Sequence, residues 1–158
     1  MLSPIKRHES LKHLSRDHHH GLLLCWKIRE GLKKGIDPVR IKAYTRFFYE
    51  GQLVPHFEFE EKEVFTLLDK NHPLIKQALK DHEVLSELFL SEETLDSVLR
   101  DTEKQLEAHI RFEERVLFNE IQQNSTEEIL AAVEKKENDL ITPSPDDWED
   151  KFWLKEVN

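Results

Sequence analysis

A stretch of ten residues near the middle of the chain recurs, with small changes, in its second half. The first copy is His56-Phe-Glu-Phe-Glu-Glu-Lys-Glu-Val-Phe65, and the second is His109-Ile-Arg-Phe-Glu-Glu-Arg-Val-Leu-Phe118. An Asp-His pair precedes each copy, at Asp17-His18 and at Asp81-His82. A repeat of this length indicates two supersecondary units of one design. The chain is therefore constrained to fold as two similar helical hairpins.

The composition favours helices throughout. The chain has 158 residues, of which 38% are hydrophobic and 35% charged, and only four are glycine. This length suits one domain with a real core, and this balance suits amphipathic helices with solvated outer faces. Apolar residues recur at intervals of three and four, which is the helical period.

The periodic segments predict four long helices and a short fifth. Their approximate bounds are Ser10–Leu32, Pro38–Asp69, Leu74–Leu90, Ser91–Gln122 and Ser125–Lys136. Short loops between four long helices favour an all-α, antiparallel up-down four-helix bundle. We expect this bundle to span residues 1–122, with residues 123–158 forming a short helix and an aromatic tail that pack on it.

Several details of these helices are also predicted. Asp37 is expected to cap the second helix, with Pro38 at its first position, and Pro55 is expected to cause a kink or a short break in that helix. The segment that starts at Ser91 has the character of a capping box. Leu95 and Val116 are expected on the inward side of the fourth helix.

The tail carries three large aromatic residues, Trp148, Phe152 and Trp153, in an otherwise acidic segment. Such side chains are too apolar to remain in water. Docking on the same chain is favoured over contact with a second copy, because the same chain offers the higher effective concentration. The expected state is a monomer or a weak homodimer.

Both repeats place a histidine and a glutamate four residues apart, which puts them one turn apart on one helix face. These pairs are His56 with Glu60 and His109 with Glu113, while His18 and His82 lie on the inward stripes of the other two helices. Two imidazoles and one carboxylate in each hairpin suit non-heme iron, manganese or zinc. Buried carboxylates would be costly without a cation. We therefore predict two metal ions, one for each hairpin.

Other polar residues close to the repeats carry weaker signals. His19 is the alternative to His18 as a ligand, although it points away from the stripe. Glu61 and Glu114 recur in both copies and either support the ligands or form solvated salt bridges. The remaining histidines are expected at the surface: His8, His13 and His72.

The bulk properties exclude several classes of function. A net charge of −9 argues against a nucleic-acid partner. The chain has neither an apolar run long enough to span a membrane nor the apolar region of a secretory signal. Its single cysteine, Cys25, allows no internal disulfide. We expect the protein to be cytoplasmic.

The ordered pattern Asp-His, His-Phe-x-x-Glu-Glu, His, His-x-x-x-Glu-Glu resembles the hemerythrin-like, HHE cation-binding family over roughly residues 8–122. The resemblance implies a cofactor of two non-heme iron ions joined by an oxo or hydroxo bridge, with zinc or manganese as alternatives. It further implies that Glu60 and Glu113 bridge the ions and that four histidines are terminal ligands: His18, His56, His82 and His109.

Two positions depart from the oxygen-carrying members of that family. Those members have a second histidine one turn away on the third helix, where this chain has Ala78 and Ser86. They also have an aspartate five residues after the last histidine, where this chain has Glu113 at a spacing of four. The set is closer to the subgroup typified by the iron-sensing domain of an F-box protein. This argues against bulk oxygen carriage.

Three functions are compatible with these sequence features. The first is a di-iron protein that senses, binds or buffers oxygen, nitric oxide, peroxide or iron itself. The second is a di-iron oxidase or peroxidase-like enzyme, for which the sequence offers no dedicated base or substrate pocket. The third is a metal-free helical bundle, which the duplicated ligand pattern makes hard to defend.

Overall fold

The computed structural model describes residues 6–140, 142 and 144–154, and most of these residues are helical. Those residues contain no strand, so the predicted all-α class is confirmed. The α-helices are α1 (Lys12–Lys33), α2 (Pro38–Phe48), α3 (Val54–Phe59), α4 (Pro73–Leu90), α5 (Asp96–Phe112), α6 (Phe118–Gln123) and α7 (Glu127–Glu137). None of these helices is long and apolar enough to cross a membrane.

Short π-helical and 3₁₀ segments join several of these helices into longer stretches. A 3₁₀ turn at Glu9–Leu11 leads into α1. Between α2 and α3 lies a π segment at Tyr49–Leu53, and α3 continues through a second one at Glu60–Val64 and a 3₁₀ turn at Phe65–Leu67. A third π segment, Glu113–Leu117, joins α5 to α6.

The turn after α1 is a glycine-based helix stop. Gly35 has a φ of +69°, which only glycine adopts at little cost. Its N–H donates to Leu32 O, and the next N–H, of Ile36, donates to Gly31 O at 2.9 Å. These two bonds form a Schellman motif and satisfy carbonyls at the helix end. Asp37 then accepts from Val39 N at 3.0 Å, so the predicted cap of α2 is confirmed.

The chain around Pro55 stays helical. Pro55 has no N–H to donate, so a regular α-helix would lose one hydrogen bond there. The π segment at Tyr49–Leu53 lies directly before it, and Val54 N–H donates five residues back to Tyr49 O. The irregularity predicted at the proline is thus a wide turn that precedes it.

The predicted start of the fourth helix at Ser91 is wrong, because α5 begins at Asp96. Ser91 leaves the helical conformation and closes α4, and its hydroxyl accepts from Glu93 N at 3.3 Å. A local hydroxyl turn of this kind competes with helix formation. Leu95 precedes the helix in an extended conformation and is 56% exposed, so its predicted inward position is also wrong.

The core consists of two apolar clusters with a polar layer between them. One cluster includes Leu24, Phe48, Phe57, Phe89, Leu106 and Ile110. The other includes Leu14, Phe59, Val64, Phe65, Leu117 and Phe118. On α1, His18 lies between the two clusters, and His109 and Glu113 do so on the stretch formed by α5 and α6. The predicted ligands therefore lie in a band enclosed by apolar residues.

The aromatic tail packs against α1 and α2. Phe152 is buried in the first apolar cluster, and its ring lies 6.0 Å from the ring of Tyr44. Gly31 permits this approach, because a Cβ there would lie 2.8 Å from Phe152 Cε2. A bidentate salt bridge between Arg40 and Asp150 adds a polar contact at the edge.

Candidate metal centre

All six predicted ligand side chains are buried, with exposures of 5% or less. Each histidine comes from a different long stretch, and each glutamate begins a π segment. The residues are His18 on α1, His56 on α3, His82 on α4, His109 on α5, Glu60 and Glu113. The structure thus brings together side chains that are spread over nearly a hundred positions of sequence.

The six residues form two overlapping groups with the spacing of metal ligands. One group is His18, His56, Glu60 and Glu113, and the other is Glu60, His82, His109 and Glu113. Within each group, one potential ligand atom of every residue lies within 4.8 Å of all the others. Both carboxylates belong to both groups. The predicted pairing of histidines by hairpin therefore agrees with the geometry, whereas the carboxylates are shared.

The inner nitrogen of each histidine approaches one of the two carboxylates. Nε2 of His18 and Nε2 of His109 lie 3.0 and 3.1 Å from Glu113 Oε1. Nε2 of His56 and Nε2 of His82 lie 3.2 and 3.3 Å from Glu60 Oε1. Each carboxylate therefore meets one histidine from each hairpin, and all four Nε2 atoms converge on a single centre.

The outer nitrogens of two histidines contact the aspartates of the Asp-His pairs. His56 Nδ1 lies 2.9 Å from Asp17 Oδ2, and His109 Nδ1 lies 2.9 Å from Asp81 Oδ2. An Nδ1–H that donates to a carboxylate leaves the lone pair on Nε2, which is the form that binds a metal. The sequence reading gave these aspartates no role, although their recurrence before both histidines was the available signal.

The other two histidines face the glutamates that follow the ligands. His82 Nδ1 lies 3.0 Å from Glu61 Oε2, whereas His18 Nδ1 lies 3.5 Å from Glu114 Oε2. For Glu61 the structure shows contact with a ligand histidine, whereas Glu114 lies near His18 and also forms a salt bridge with Arg7, at 3.8 Å. Every inward-facing imidazole therefore has a carboxylate near its outer nitrogen, Nδ1.

The π segments that begin at Glu60 and Glu113 are equivalent in the two halves. In each, the N–H five residues on, of Phe65 or Phe118, donates to the glutamate carbonyl. The wide turn brings Phe65 to 5.3 Å from the ring of His82 and stacks Phe118 at 5.4 Å from His18. π turns are rare and occur often at functional sites.

The same π segment explains a wrong prediction at Val116. A regular α-helix would turn Val116 inward, but the extra residue in the turn shifts the phase of the helix. Val116 is consequently 44% exposed, and Leu117 occupies the core. Hydrophobic periodicity at 3.6 residues per turn gives no sign of such a shift.

The imidazoles and carboxylates of the centre shift one another's pKa values. Burial disfavours the charged imidazole of His109, but attraction to Glu113 and the hydrogen bond to Asp81 raise its pKa to about 10. Burial likewise opposes charging of His18, His56 and His82, yet neighbouring carboxylates raise their pKa values. For Glu113, burial is outweighed by His109 and His18, and its pKa falls well below the usual range.

Several polar atoms at this centre are buried without a hydrogen bond. They are both carboxylate oxygens of Glu60, Oε2 of Glu113, and Nε2 of His56, His82 and His109. A buried polar atom without a partner costs free energy, and such atoms are rare in folded proteins. Cations bound between the carboxylates and imidazoles would satisfy all of them, so the donor set fits metal ions.

The remaining histidines lie outside this centre. His19 is exposed beside His20, with the two rings 6.0 Å apart. His8 and His72 are helix caps: their Nδ1 atoms accept from Ser10 N and from Leu74 N. Sequence reasoning treated them as plain surface residues, because histidine is not among the usual capping residues.

The thiol of Cys25 is also removed from this centre. It is buried, and its Sγ donates to Glu103 O at 3.4 Å. Burial raises the pKa of the thiol to about 12. This agrees with the behaviour of an inert core cysteine.

A helical fold with two overlapping, buried clusters of histidine and glutamate defines a cation-binding domain. The family model of the hemerythrin HHE cation binding domain matches residues 9–121, and the chain belongs to that family. Comparisons with curated proteins and with solved structures returned no significant match.

Proposed function

We propose that this protein holds two non-heme iron ions in a dinuclear centre inside an antiparallel four-helix bundle. His18 and His56 would be terminal ligands of one ion, and His82 and His109 of the other. The observation that carries the proposal is that Glu60 and Glu113 belong to both ligand groups. Carboxylates shared in this way are suited to bridging two cations.

Iron suits this donor set, and it suits it better than zinc does. Imidazole with carboxylate suits iron, zinc and manganese, whereas the bridged, oxygen-rich core is less suited to the four-coordinate geometry usual for structural zinc. Bound iron would supply reversible binding of a small ligand or a change of oxidation state. The chain's own residues orient the imidazoles and exclude bulk water.

A small cavity beside the centre favours a small ligand. It has a volume of about 10 Å³ and is bordered by His18, His56 and His109 and by the apolar side chains of Phe48, Leu53, Phe57, Leu106 and Ile110. A space of this size accepts about one water-sized molecule. We therefore propose that the protein senses, binds or buffers oxygen, nitric oxide or peroxide. The cavity offers no room for the organic substrate of an oxidase.

Iron content tests the dinuclear proposal. The purified chain is stripped of metal, reconstituted with ferrous iron under anaerobic conditions, desalted and analysed for iron. We expect about two ions per chain. A double variant, Glu60→Gln with Glu113→Gln, should retain almost none, while Glu58→Gln at an exposed neighbouring position should match the unmodified protein. No more than one ion in the unmodified protein would contradict the proposal.

The cavity proposal is tested at Gly21. A Cβ at this position would lie 2.7 Å from Ile110 Cδ1, so alanine must push that side chain. Because Ile110 borders the cavity, Gly21→Ala should weaken binding of nitric oxide by the ferrous protein without lowering its iron content. An unchanged affinity, measured by optical titration, would show that the ligand does not use this cavity.

A further inference from the structure

The four histidines differ in the distance between Nδ1, the ring nitrogen that faces away from the centre, and the nearest carboxylate oxygen. Three of the Nδ1 atoms lie 2.9 to 3.0 Å from a carboxylate oxygen, which is ordinary hydrogen-bond distance. The fourth, on His18, lies 3.5 Å from Glu114 Oε2 and makes no hydrogen bond. His18 is therefore the inward-facing imidazole with the weakest support behind it.

Competing donors explain the long contact at His18. Ser15 Oγ donates to the same oxygen, Glu114 Oε2, at 3.0 Å, and Arg7 Nε lies 3.8 Å from it. Arg7 also donates to the main-chain carbonyl of Glu114, which holds the guanidinium in place. One carboxylate oxygen thus faces a hydroxyl, a guanidinium and an imidazole.

The second half of the chain lacks these competitors at the matching positions. Ser15 stands three residues before His18, and the residue three before His82 is Leu79, which cannot donate a hydrogen bond. Arg7 stands eleven residues before His18, and the residue at that distance before His82 is Asn71. The two halves therefore differ in sequence where their ligand geometry differs.

The aspartates near Nδ1 of the other two histidines, His109 and His56, differ in exposure, and this difference also favours the half that contains His109. Asp81, behind His109, is 9% exposed and is held by Gln77 Nε2 at 2.8 Å. Asp17, behind His56, is 49% exposed. Water and salt screen an exposed carboxylate, so Asp17 polarises its imidazole less than Asp81 does.

We propose that the two cation positions are unequal, an inference that rests on the dinuclear function proposed above. The position of His82 and His109 binds its ion more tightly and fills first. The position of His18 and His56 fills last and releases its ion first. Arg7 and Ser15 are positioning residues that set this order, because they draw Glu114 away from His18. Outer contacts of ligand histidines commonly change metal affinity by about 10- to 100-fold.

Titration of the metal-free protein with cobalt(II) tests the order of filling, since the visible bands of cobalt report each bound ion. We expect two resolved steps in the unmodified protein. The matched variants His18→Ala and His82→Ala then separate them: the first should keep the tight step and lose the weak one, and the second should lose the tight step. If His18→Ala loses the tight step instead, the assigned order is wrong.

Variants of the residues that lie near Nδ1 of the ligand histidines test the cause of this order of filling. Glu61→Gln should weaken the tight step by about tenfold, whereas Glu114→Gln should change the weak step by less, because its contact with His18 is already poor. Ser15→Ala removes one competitor and should bring the two steps closer together, with Ser97→Ala at an exposed site as the control.

The outcomes distinguish this inference from the proposed function. Two ions bound with equal affinity, unaffected by Ser15→Ala, would overturn the inference and leave the dinuclear function intact. Fewer than two ions at saturating cobalt would contradict the dinuclear function itself. Two unequal steps that Ser15→Ala brings together would support both.

Discussion

At the scale of single residues, the centre depends on histidines that have a carboxylate on each side. In His56, for example, Nε2 faces Glu60 and Nδ1 faces Asp17. The inner contact places the nitrogen where a cation can bind, and the outer contact fixes the ring. Removing such an imidazole leaves buried or half-buried carboxylates without their counterion.

Substitution of His56 or His109 by alanine should therefore affect stability as well as metal content. Breaking a buried ion pair by removing one partner costs about 3–5 kcal/mol, so we expect a loss of this order in the metal-free protein. Each variant should also retain no more than one ion. Urea denaturation and metal analysis measure the two effects.

His19→Ala is the matched control, because His19 is exposed and adjacent to a predicted ligand. It should change neither stability nor metal content. Equal behaviour of all three variants would show that burial on the inner stripe does not identify the ligands. His8 and His72 are poor controls, since both cap helices.

At the scale of secondary-structure elements, the two equivalent π segments set the geometry of the centre. Each starts at a glutamate of the centre and contains one exposed basic residue, Lys62 or Arg115. The extra residue in each turn allows both the glutamate and the phenylalanine five positions later to face inward. A regular α-helix would place those two side chains on different faces.

Deletion of Lys62 should convert the first π segment into an ordinary α-helical turn. Phe65 would then follow Glu60 by four residues, a spacing that keeps both side chains on one face of a regular α-helix, so Phe65 stays in the core beside His82. We therefore expect the stability of the metal-free protein to stay within about 1 kcal/mol of that of the unmodified chain, well short of the roughly 3–5 kcal/mol that loss of a buried phenylalanine costs. Thermal and urea denaturation measure the stability of this variant.

The control for this deletion is Lys62→Ala, which keeps the chain length and changes only an exposed side chain. Its stability should stay within about 0.5 kcal/mol of the unmodified protein. Deletion of Arg115 should act in the same way on the second π segment. A loss of about 3–5 kcal/mol in either deletion variant would contradict this, and would show that the π turn itself holds the phenylalanine in the core.

At the scale of the whole molecule, the centre links folding, pH and metal. Without metal, the raised pKa of His109, about 10 against an ordinary value of 6.5, stabilises the folded state fully below pH 6.5. This contribution disappears as the pH rises through about 10. The lowered pKa of Glu113 acts in the opposite sense, and its contribution is lost as the pH falls below 4.5.

The metal-free protein should therefore lose stability steadily between pH 6.5 and pH 10. A cation competes with protons for the imidazoles, so metal binding should tighten over the same range and release protons. We expect the difference in melting temperature between metal-loaded and metal-free protein to widen as the pH rises. Differential scanning calorimetry at a series of pH values measures it, and a constant difference would contradict the linkage.

Much of the fold was predictable because helix signals are local. The apolar period and the cap at Asp37 gave the helical class and most helix bounds. The start of α5 was missed because Ser91 engages its own neighbours, and local hydroxyl contacts resemble capping signals in sequence. The inward phase at Val116 was missed because a π turn has no local sequence signature.

The amino-acid sequence by itself determined which six side chains would meet and which histidines pair by hairpin. The repeated spacing of four residues fixes a histidine and a glutamate on one helix face, and this depends only on helical geometry. The tertiary structure decided what stands behind each imidazole. The pairs His56 with Asp17 and His109 with Asp81 lie 39 and 28 positions apart, and packing between helices alone sets such distances. The tertiary structure also placed Glu60 and Glu113 in both ligand groups. It brought Ser15, Arg7 and His18 to the same carboxylate, that of Glu114. These contacts exist only once the hairpins have packed together.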